Sequence, residues 1–355
     1  MTRSAAPHGI HPSGTTAARR RDLHTASVQS AHPSQATSHG GPSPVIVIGD
    51  LCIDHNTVGR QALASTWGSP TLFIARHLRL EHGLRPVVSG PYASDLLPFL
   101  DEFACDQGPS GQRSLSYRNV VEPTRRTSNE RVADQQRVQY WRPADRPLQP
   151  IACQPPGGAF DLLYFCPLVP DHDRTDDIET IAAARQDRPP VRVLLAQGLM
   201  RTSGPTTHDV YRQVLRRDID DDEAATWSCF DLVVFSDDDL TDALAKATRW
   251  SANDAARDTG FVVTQGPRGA TLCHHGTATH ILTQPVADEL APVGAGDVFG
   301  ATVGLEFHAA YVAEGMDRSA ALLRAVARAT EAASTYVGAG RTPTVPEPVI
   351  VRGRR

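Results

Sequence analysis

The stretch Ala291-Pro292-Val293-Gly294-Ala295-Gly296-Asp297-Val298-Phe299-Gly300 decides the fold, because small residues lead into an aspartate at the head of an amphipathic helix. Val298, Ala301, Leu305, Ala309 and Val312 fall at the spacing of one buried helical face, and Gly315 supplies a stop. The helix N-terminus is therefore expected at residues 294–297, where the first backbone N–H groups lack helical partners and the dipole is positive. Such an end holds a phosphate with main-chain atoms alone, and glycine lets the backbone come close. A carboxylate there repels an anion, unless a base must stand beside the phosphate to take a proton from an attacking alcohol. Read without that chemistry, Asp297 is a helix cap after a Gly-rich turn. Spacing leaves both readings open.

Upstream, the chain alternates short apolar runs with helical stretches. Strands are predicted at 45–48, 85–89, 160–165, 191–196, 230–235 and 261–264, and a helix at 69–80. Apolar strands separated by helices imply parallel pairing through crossovers, hence an α/β fold with a doubly wound, mostly parallel sheet flanked by helices. Ligands of such sheets bind beyond the carboxyl ends of the strands, where Gly49-Asp50, Gln197-Gly198, Ser236-Asp237 and Gln265-Gly266 would collect. Residues 113–142 break the rhythm. Their polar alternation reads as extended strands with one wet face.

Composition excludes several classes. The 355-residue chain carries a formal net charge of -5, so no basic field recruits nucleic acid or a membrane surface. No apolar run approaches the roughly 20 residues needed to span a bilayer. Lys246 is the only lysine, which removes a P-loop with its Gly-Lys-Ser/Thr end. The six cysteines are scattered without Cys-x-x-Cys spacing and read as buried thiols of a reducing compartment, placing the protein in the cytoplasm. His274 and His275 are adjacent, without the further ligands a zinc site needs. Residues 1–43 lack any apolar pattern and are expected to form a disordered tail, with the folded domain at 44–345 and a second tail at 346–355.

Gly294-Ala295-Gly296-Asp297, followed by its aromatic-containing apolar helix, resembles the second signature of the ribokinase family of sugar and nucleoside kinases, also called the PfkB family. Residues 45–54, ending at Asp54, are similar to that family's first strand and the aspartate that holds substrate hydroxyls. Residues 261–270 are similar to its late strand and nucleotide-binding turn. The resemblance runs from about residue 45 to about residue 340. It implies a ribokinase-like fold with a small β-sheet lid, built from about 55–64 and 113–142, and a carbohydrate kinase that phosphorylates a hydroxyl of a sugar or sugar-derived molecule with ATP.

On that resemblance, Asp297 is the base and the N–H groups of Gly294, Ala295 and Gly296 form the anion hole. Thr264, Gly266, Gly269 and Ser236 line the ATP site, and Asp239 orders Mg2+ through water. Asp54, Gly68, Ser69, Phe73 and Arg131 meet the acceptor. A homodimer through the lid is also implied. Plainer readings stand beside these: a tight turn at Gly266 and Gly269, a local turn at Asp54, a helix N-cap at Ser236 and exposed arginines around 131.

The sequence departs from the family pattern in two places. Ser69 replaces a glycine and Phe73 an asparagine of the first signature, giving an aromatic surface in place of a polar sugar contact. Ala291 and Pro292 stand where an acidic residue and threonine are usual, which removes parts of a monovalent-cation site and the magnesium network. Two alternatives follow: a nucleoside kinase with Phe73 stacked on a base, and a non-catalytic relative that uses the cleft for sensing or binding. A dinucleotide-binding oxidoreductase is discounted, because Gly300 comes one place late and no strand precedes the glycines. Gln197-Gly198-x-x-Arg201 takes no role at this level.

Overall fold

The computed structural model describes residues 44–58, 61–62, 65–121, 137–146, 160–184, 190–207, 210–284, 286 and 294–339. The tails expected at 1–43 and 346–355, and Arg131, lie outside the described residues. Along the chain come strands β1 (Val45–Gly49), β2 (Cys52–Val58), β3 (Gln61–Ala62) and β4 (Thr66–Trp67), then helix α1 (Pro70–His82). Strands β5 (Val87–Ser89), β6 (Ala104–Cys105), β7 (Leu115–Val121), β8 (Arg137–Arg142) and β9 (Leu162–Cys166) precede α2 (Thr175–Ala183). Next are β10 (Val191–Leu195), β11 (Arg201–Thr206), β12 (Arg212–Arg216), the short α3 (Asp221–Ala225), β13 (Leu232–Ser236) and α4 (Ala243–Ser251). The chain continues through β14 (Gly260–Thr264), β15 (Ala270–His274), β16 (Thr277–Ile281), α5 (Ala295–Phe307) and α6 (Arg318–Gly338).

The large sheet has the order β16-β15-β14-β13-β10-β9-β1-β5-β6. It is parallel from β6 to β14 and closes with two antiparallel pairings at β15 and β16. Strands covered on both faces need apolar side chains at every position, which is why β1 and β9 are buried throughout. Alternate residues serve opposite cores. Val45, Val47, Leu162, Tyr164, Val193 and Val234 pack with residues of α1, α5 and α6, while Ile46, Ile48, Leu163, Phe165, Leu194 and Val233 pack with residues of α2 and α4. Each large side chain removed from water in these layers contributes about 1.5–3 kcal/mol before entropy is counted.

Helix α5 differs from the one-faced helix that its spacing predicts. Val298 and Ala301 are buried, but Leu305, Ala309 and Val312 are only partly so, whereas Phe299, Thr302, Val303 and Phe307 are buried as well. The helix is covered on several sides, by the sheet, α1 and α6, so no single stripe marks its buried surface. Glycine explains how closely it approaches the sheet: a Cβ at Gly300 would lie 2.9 Å from Leu195 Cδ2, and one at Gly304 2.8 Å from Val193 Cγ2. Tyr164 fixes the helix further by donating its phenol to the Ala301 carbonyl at 2.5 Å. Beyond Phe307 the chain makes π-helical turns over His308–Ala313, and Gly315 follows at φ 70°.

The second sheet has the order β11-β12-β8-β7-β2-β3, with β4 also on β2. The segments expected in a lid, 55–64 and 113–142, supply β2, β3, β7 and β8 in part. The β11 and β12 strands are an addition to that expectation. Gly204 and Pro205 disguise β11 as a loop, and proline is tolerated there because β11 is an edge strand. Asp50, in the link from β1 to β2, is fully buried. Its carboxylate accepts from the Leu168 and Val169 N–H groups at 2.7 and 3.1 Å and from Arg174 at 2.6 Å. Arg174 also donates to Asp177 at 2.9 Å, so both buried charges are answered.

Of the described cysteines, Cys52, Cys166 and Cys273 are buried, Cys105 and Cys229 partly so, and all five are free thiols. No described helix is long and apolar enough to cross a membrane. His274, at the end of β15, is buried, and its Nε2 has no hydrogen-bond partner. Burial first, and then the neighbouring His275 and Arg318, push its pKa down to about 4. The unfolded chain, with an ordinary histidine near 6.5, binds the extra proton first as pH falls. Stability is therefore full above pH 6.5 and falls as the pH is lowered toward 4. Urea titrations at stepped pH should show that slope, and His274→Phe should flatten it.

Candidate active site

The residues that follow the strand ends converge on one cavity of about 220 Å³ between the sheets. Asp297, Gly294 and Gly296 line it from α5, Ser236 and Thr264 from β13 and β14, and Asp54 from β2. Gly68, Ser69 and Phe73 line it from the start of α1. Ala295 belongs to the same helical turn without being among the lining residues, and neither Gly266 nor Gly269 is.

The cap reading of Asp297 does not describe this helix. Gly294 occupies the N-cap position at φ 89°, a conformation that favours glycine, and Asp297 is the third residue inside. The first helical bond is donated by Val298 N–H to the Gly294 carbonyl at 2.9 Å. By helix geometry the N–H groups before it, including those of Ala295 and Gly296, have no acceptor within the helix. A Cβ at Gly294 would press on Phe73 at 3.1 Å, whereas one at Gly296 would meet nothing within 4 Å. Gly294 is thus required by the turn and its packing, whereas no neighbouring protein atom requires a glycine at position 296. Burial, and after it the negative charges of Asp297 and Asp50, hold the thiol of the fully buried Cys166 well above its usual range, so it stays neutral.

Asp54 is positioned by the backbone around it. Its carboxylate lies against Gly68, where an added Cβ would fall 1.9 Å from Asp54 Cγ. Burial, followed by Asp54 and Asp50, likewise raises the Cys52 thiol, which lies 3.8 Å from Asp54 Oδ1. Ser69 precedes α1 at the N-cap position, yet its hydroxyl makes no capping bond. That Oγ is buried without a partner in a residue that lines the cavity. Phe73 packs edge-on to Trp67, with ring centroids 4.7 Å apart, which places its ring beside the start of α5.

The turn after β13 corrects the expected helix cap. Helix α4 begins only at Ala243, and Ser236 instead closes a tight turn: its Oγ accepts from Asp238 N–H at 3.1 Å, while Asp239 accepts from Ser236 N–H at 3.0 Å. Asp239 lines the cavity and also accepts from Gln197 at 3.3 Å. Asp237 is taken by an ion pair to Arg268, which ties this turn to the next one. In that next turn Gly269 has φ 101°, and a Cβ there would collide with the Ile281 carbonyl at 2.1 Å. The β14–β15 hairpin therefore requires a glycine at position 269 on its own account. Among the described residues no group of three or more His, Cys, Asp or Glu could hold a metal directly.

Sequence reasoning missed the contribution of the second sheet. Tyr117, Gln139 and Arg201 of that sheet line the cavity, as does Leu168, while Gln197 lies there as its place after a strand end implied. Tyr117 is aligned with Asp54 across the β2–β7 pair and donates to the Leu168 carbonyl at 2.6 Å. Gln139 donates to Asn119 at 2.8 Å and Asn119 to Asn56 at 2.9 Å, a ladder of amides across β8, β7 and β2. Period-two alternation was the available signal, since residues 54 and 56, 117 and 119, and 139 share one face of their strands.

No family model and no curated protein matches this chain. Solved structures do. A pyrophosphate-dependent kinase in the ribokinase family, in a sulfate complex, superposes with a TM-score of 0.57 at 16% identity over 83% of this chain and 94% of that one. The chain has the ribokinase-like fold. A Burkholderia thailandensis nucleoside kinase in complex with inosine gives 0.53 at 16% identity, over 82% and 89% of the two chains. A ribokinase from Cryptococcus neoformans var. grubii in complex with ADP gives 0.51 at 15% identity, over 83% and 96%. At these identities the likeness concerns the ribokinase-like fold itself, and the chemistry has to be argued from the cavity.

Proposed function

We propose that this protein is a phosphotransferase that moves the terminal phosphoryl group of ATP to a hydroxyl of a small sugar-derived acceptor. One observation carries the reading: the start of α5, the Asp297 carboxylate and the Asp54 carboxylate line the same cavity. Asp54, with the orphan hydroxyl of Ser69 and the amide of Gln139, supplies hydrogen-bond partners for acceptor hydroxyls. Asp297 takes the proton from one of them. The oxygen so exposed forms the new bond to phosphorus as the bond to the leaving phosphate breaks, and that phosphate departs with the bonding pair. Main-chain N–H groups at the start of α5 balance charge on the transferring group without reorganising.

Asp239 fits a magnesium ion as a water-mediated ligand, because its carboxylate lines the cavity and keeps lone pairs beyond those used by Ser236 and Gln197. When bound with the donor, the ion supplies neutralisation of the phosphate charges. The cavity of about 220 Å³ has room for a monosaccharide-sized acceptor. Phe73 keeps the nucleoside alternative in view through its ring.

Donor consumption measured with ATP and with pyrophosphate, against panels of sugars, sugar derivatives and nucleosides, tests the reading. Acceptor-dependent consumption supports it, and consumption indifferent to every acceptor contradicts it. A second expectation concerns Asp54. Gly68→Ala forces its carboxylate aside, so the acceptor KM should rise about tenfold or more while the donor KM stays put. Equal rises in both would mean general damage instead.

A further inference from the structure

Arg201 begins β11, directly after the turn that ends β10, and is only 8% exposed. Its side chain lines the cavity. Among the described residues, no hydrogen bond or ion pair ends on its guanidinium. The contrast with Arg174 is direct, since that buried guanidinium is held by Asp50 and Asp177. A full positive charge and five N–H donors that end on no described acceptor are costly in so buried a residue, and the cost is lowered when a ligand brings an anion to them.

Among the described residues, none of the carboxylates that line the cavity is hydrogen-bonded or ion-paired to Arg201. Asp239 accepts from Ser236 and Gln197, Asp54 lies against Gly68, and Asp297 stands in the first turn of α5. Tyr117 is the neighbour that feels Arg201. Burial raises its phenol strongly, the Arg201 charge pulls in the opposite direction, and the phenol stays protonated on the Leu168 carbonyl. Tyr117 therefore offers no anion either. Tyr117 is paired in register with Asp54, so Arg201, its electrostatic neighbour, lines the cavity together with the residue proposed to hold acceptor hydroxyls.

We infer that the acceptor is an anionic sugar derivative whose carboxylate or phosphate is gripped by Arg201, while its hydroxyls meet Asp54 and the unpartnered Ser69. This inference rests on the phosphotransferase reading and narrows its substrate class. A planar guanidinium fork suits either oxyanion, because both present paired oxygens to parallel N–H donors.

Matched acceptors separate the sources: gluconate against sorbitol for carboxylate, and glucose 6-phosphate against glucose for phosphate. Equilibrium binding by calorimetry and kcat/KM would be measured for the wild-type chain, Arg201→Gln and Arg201→Lys. At least one anionic member should bind about a hundredfold more tightly than its neutral partner. Arg201→Gln should erase that preference with the donor KM unchanged, and Arg201→Lys should restore part of it. The inference is overturned if neutral members bind as well as anionic ones in the wild type, if no anionic member binds, if Arg201→Gln keeps the preference, or if it raises the donor KM alone. Phosphoryl transfer without anion preference removes this inference and leaves the enzyme class standing. Arg201-dependent anion binding without transfer from any donor removes the enzyme class instead.

Discussion

Asp297→Asn should lower kcat by about 10³- to 10⁴-fold, the range expected when a positioned general base is lost. Asparagine keeps the shape and removes the proton acceptor. The start of α5 should persist, because Gly294 and not residue 297 occupies the cap position. Both KM values should stay within about threefold, since the proposed binding contacts are the α5 main chain and Asp54, not the residue 297 side chain. The comparison needs rates at saturating donor and acceptor, with thermal unfolding of both proteins as control. A loss smaller than tenfold would show that another group takes the proton.

Gly296→Ala should separate stability from activity. Alanine replaces glycine inside a helix, which favours the fold by about 0.5–1 kcal/mol, and the added methyl meets no protein atom within 4 Å. The thermal midpoint should therefore hold or rise. Activity should fall about 10²- to 10³-fold, as when one donor of an oxyanion hole is lost, because the methyl enters the space assigned to the phosphate. Full activity in a stabilised variant would show that no ligand approaches this backbone. At Gly294 the same change would strain φ 89° and press on Phe73, so a loss there would report on packing alone.

The sheet was legible in the sequence because both of its faces are covered, which turns each central strand into an apolar run such as Val45-Ile46-Val47-Ile48. The start of α5 was legible for a different reason: only a small-residue turn can bring main-chain donors to a ligand, and Gly294-Ala295-Gly296-Asp297 is such a turn. Asp54 was reached through the family pattern, and its position against Gly68 follows that pairing. What escaped was decided by contacts between distant segments. Arg201 lies next to Gly-Pro-containing sequence that reads as a loop, and only the pairing of β11 with β12 turns it into a wall of the cavity. Gln139 and Tyr117 needed the register of β7 and β8. Ser236 was read as a cap because serine followed by acids fits either a helix start or a closed turn, and Asp239 folding back on Ser236 selects the turn. Gly269 was shared in the same way between a nucleotide turn and a hairpin, and the Ile281 carbonyl accounts for it.

The most direct test follows the phosphorus. ATP or pyrophosphate carrying a radiolabelled terminal phosphate, incubated with the protein, magnesium and the acceptor panel, should place label in an organic phosphate ester, with Gly296→Ala and Asp297→Asn both losing it. Label found only in inorganic phosphate, or left in the donor with every acceptor, would contradict a site in which the start of α5 holds a phosphoryl group for an alcohol activated by Asp297.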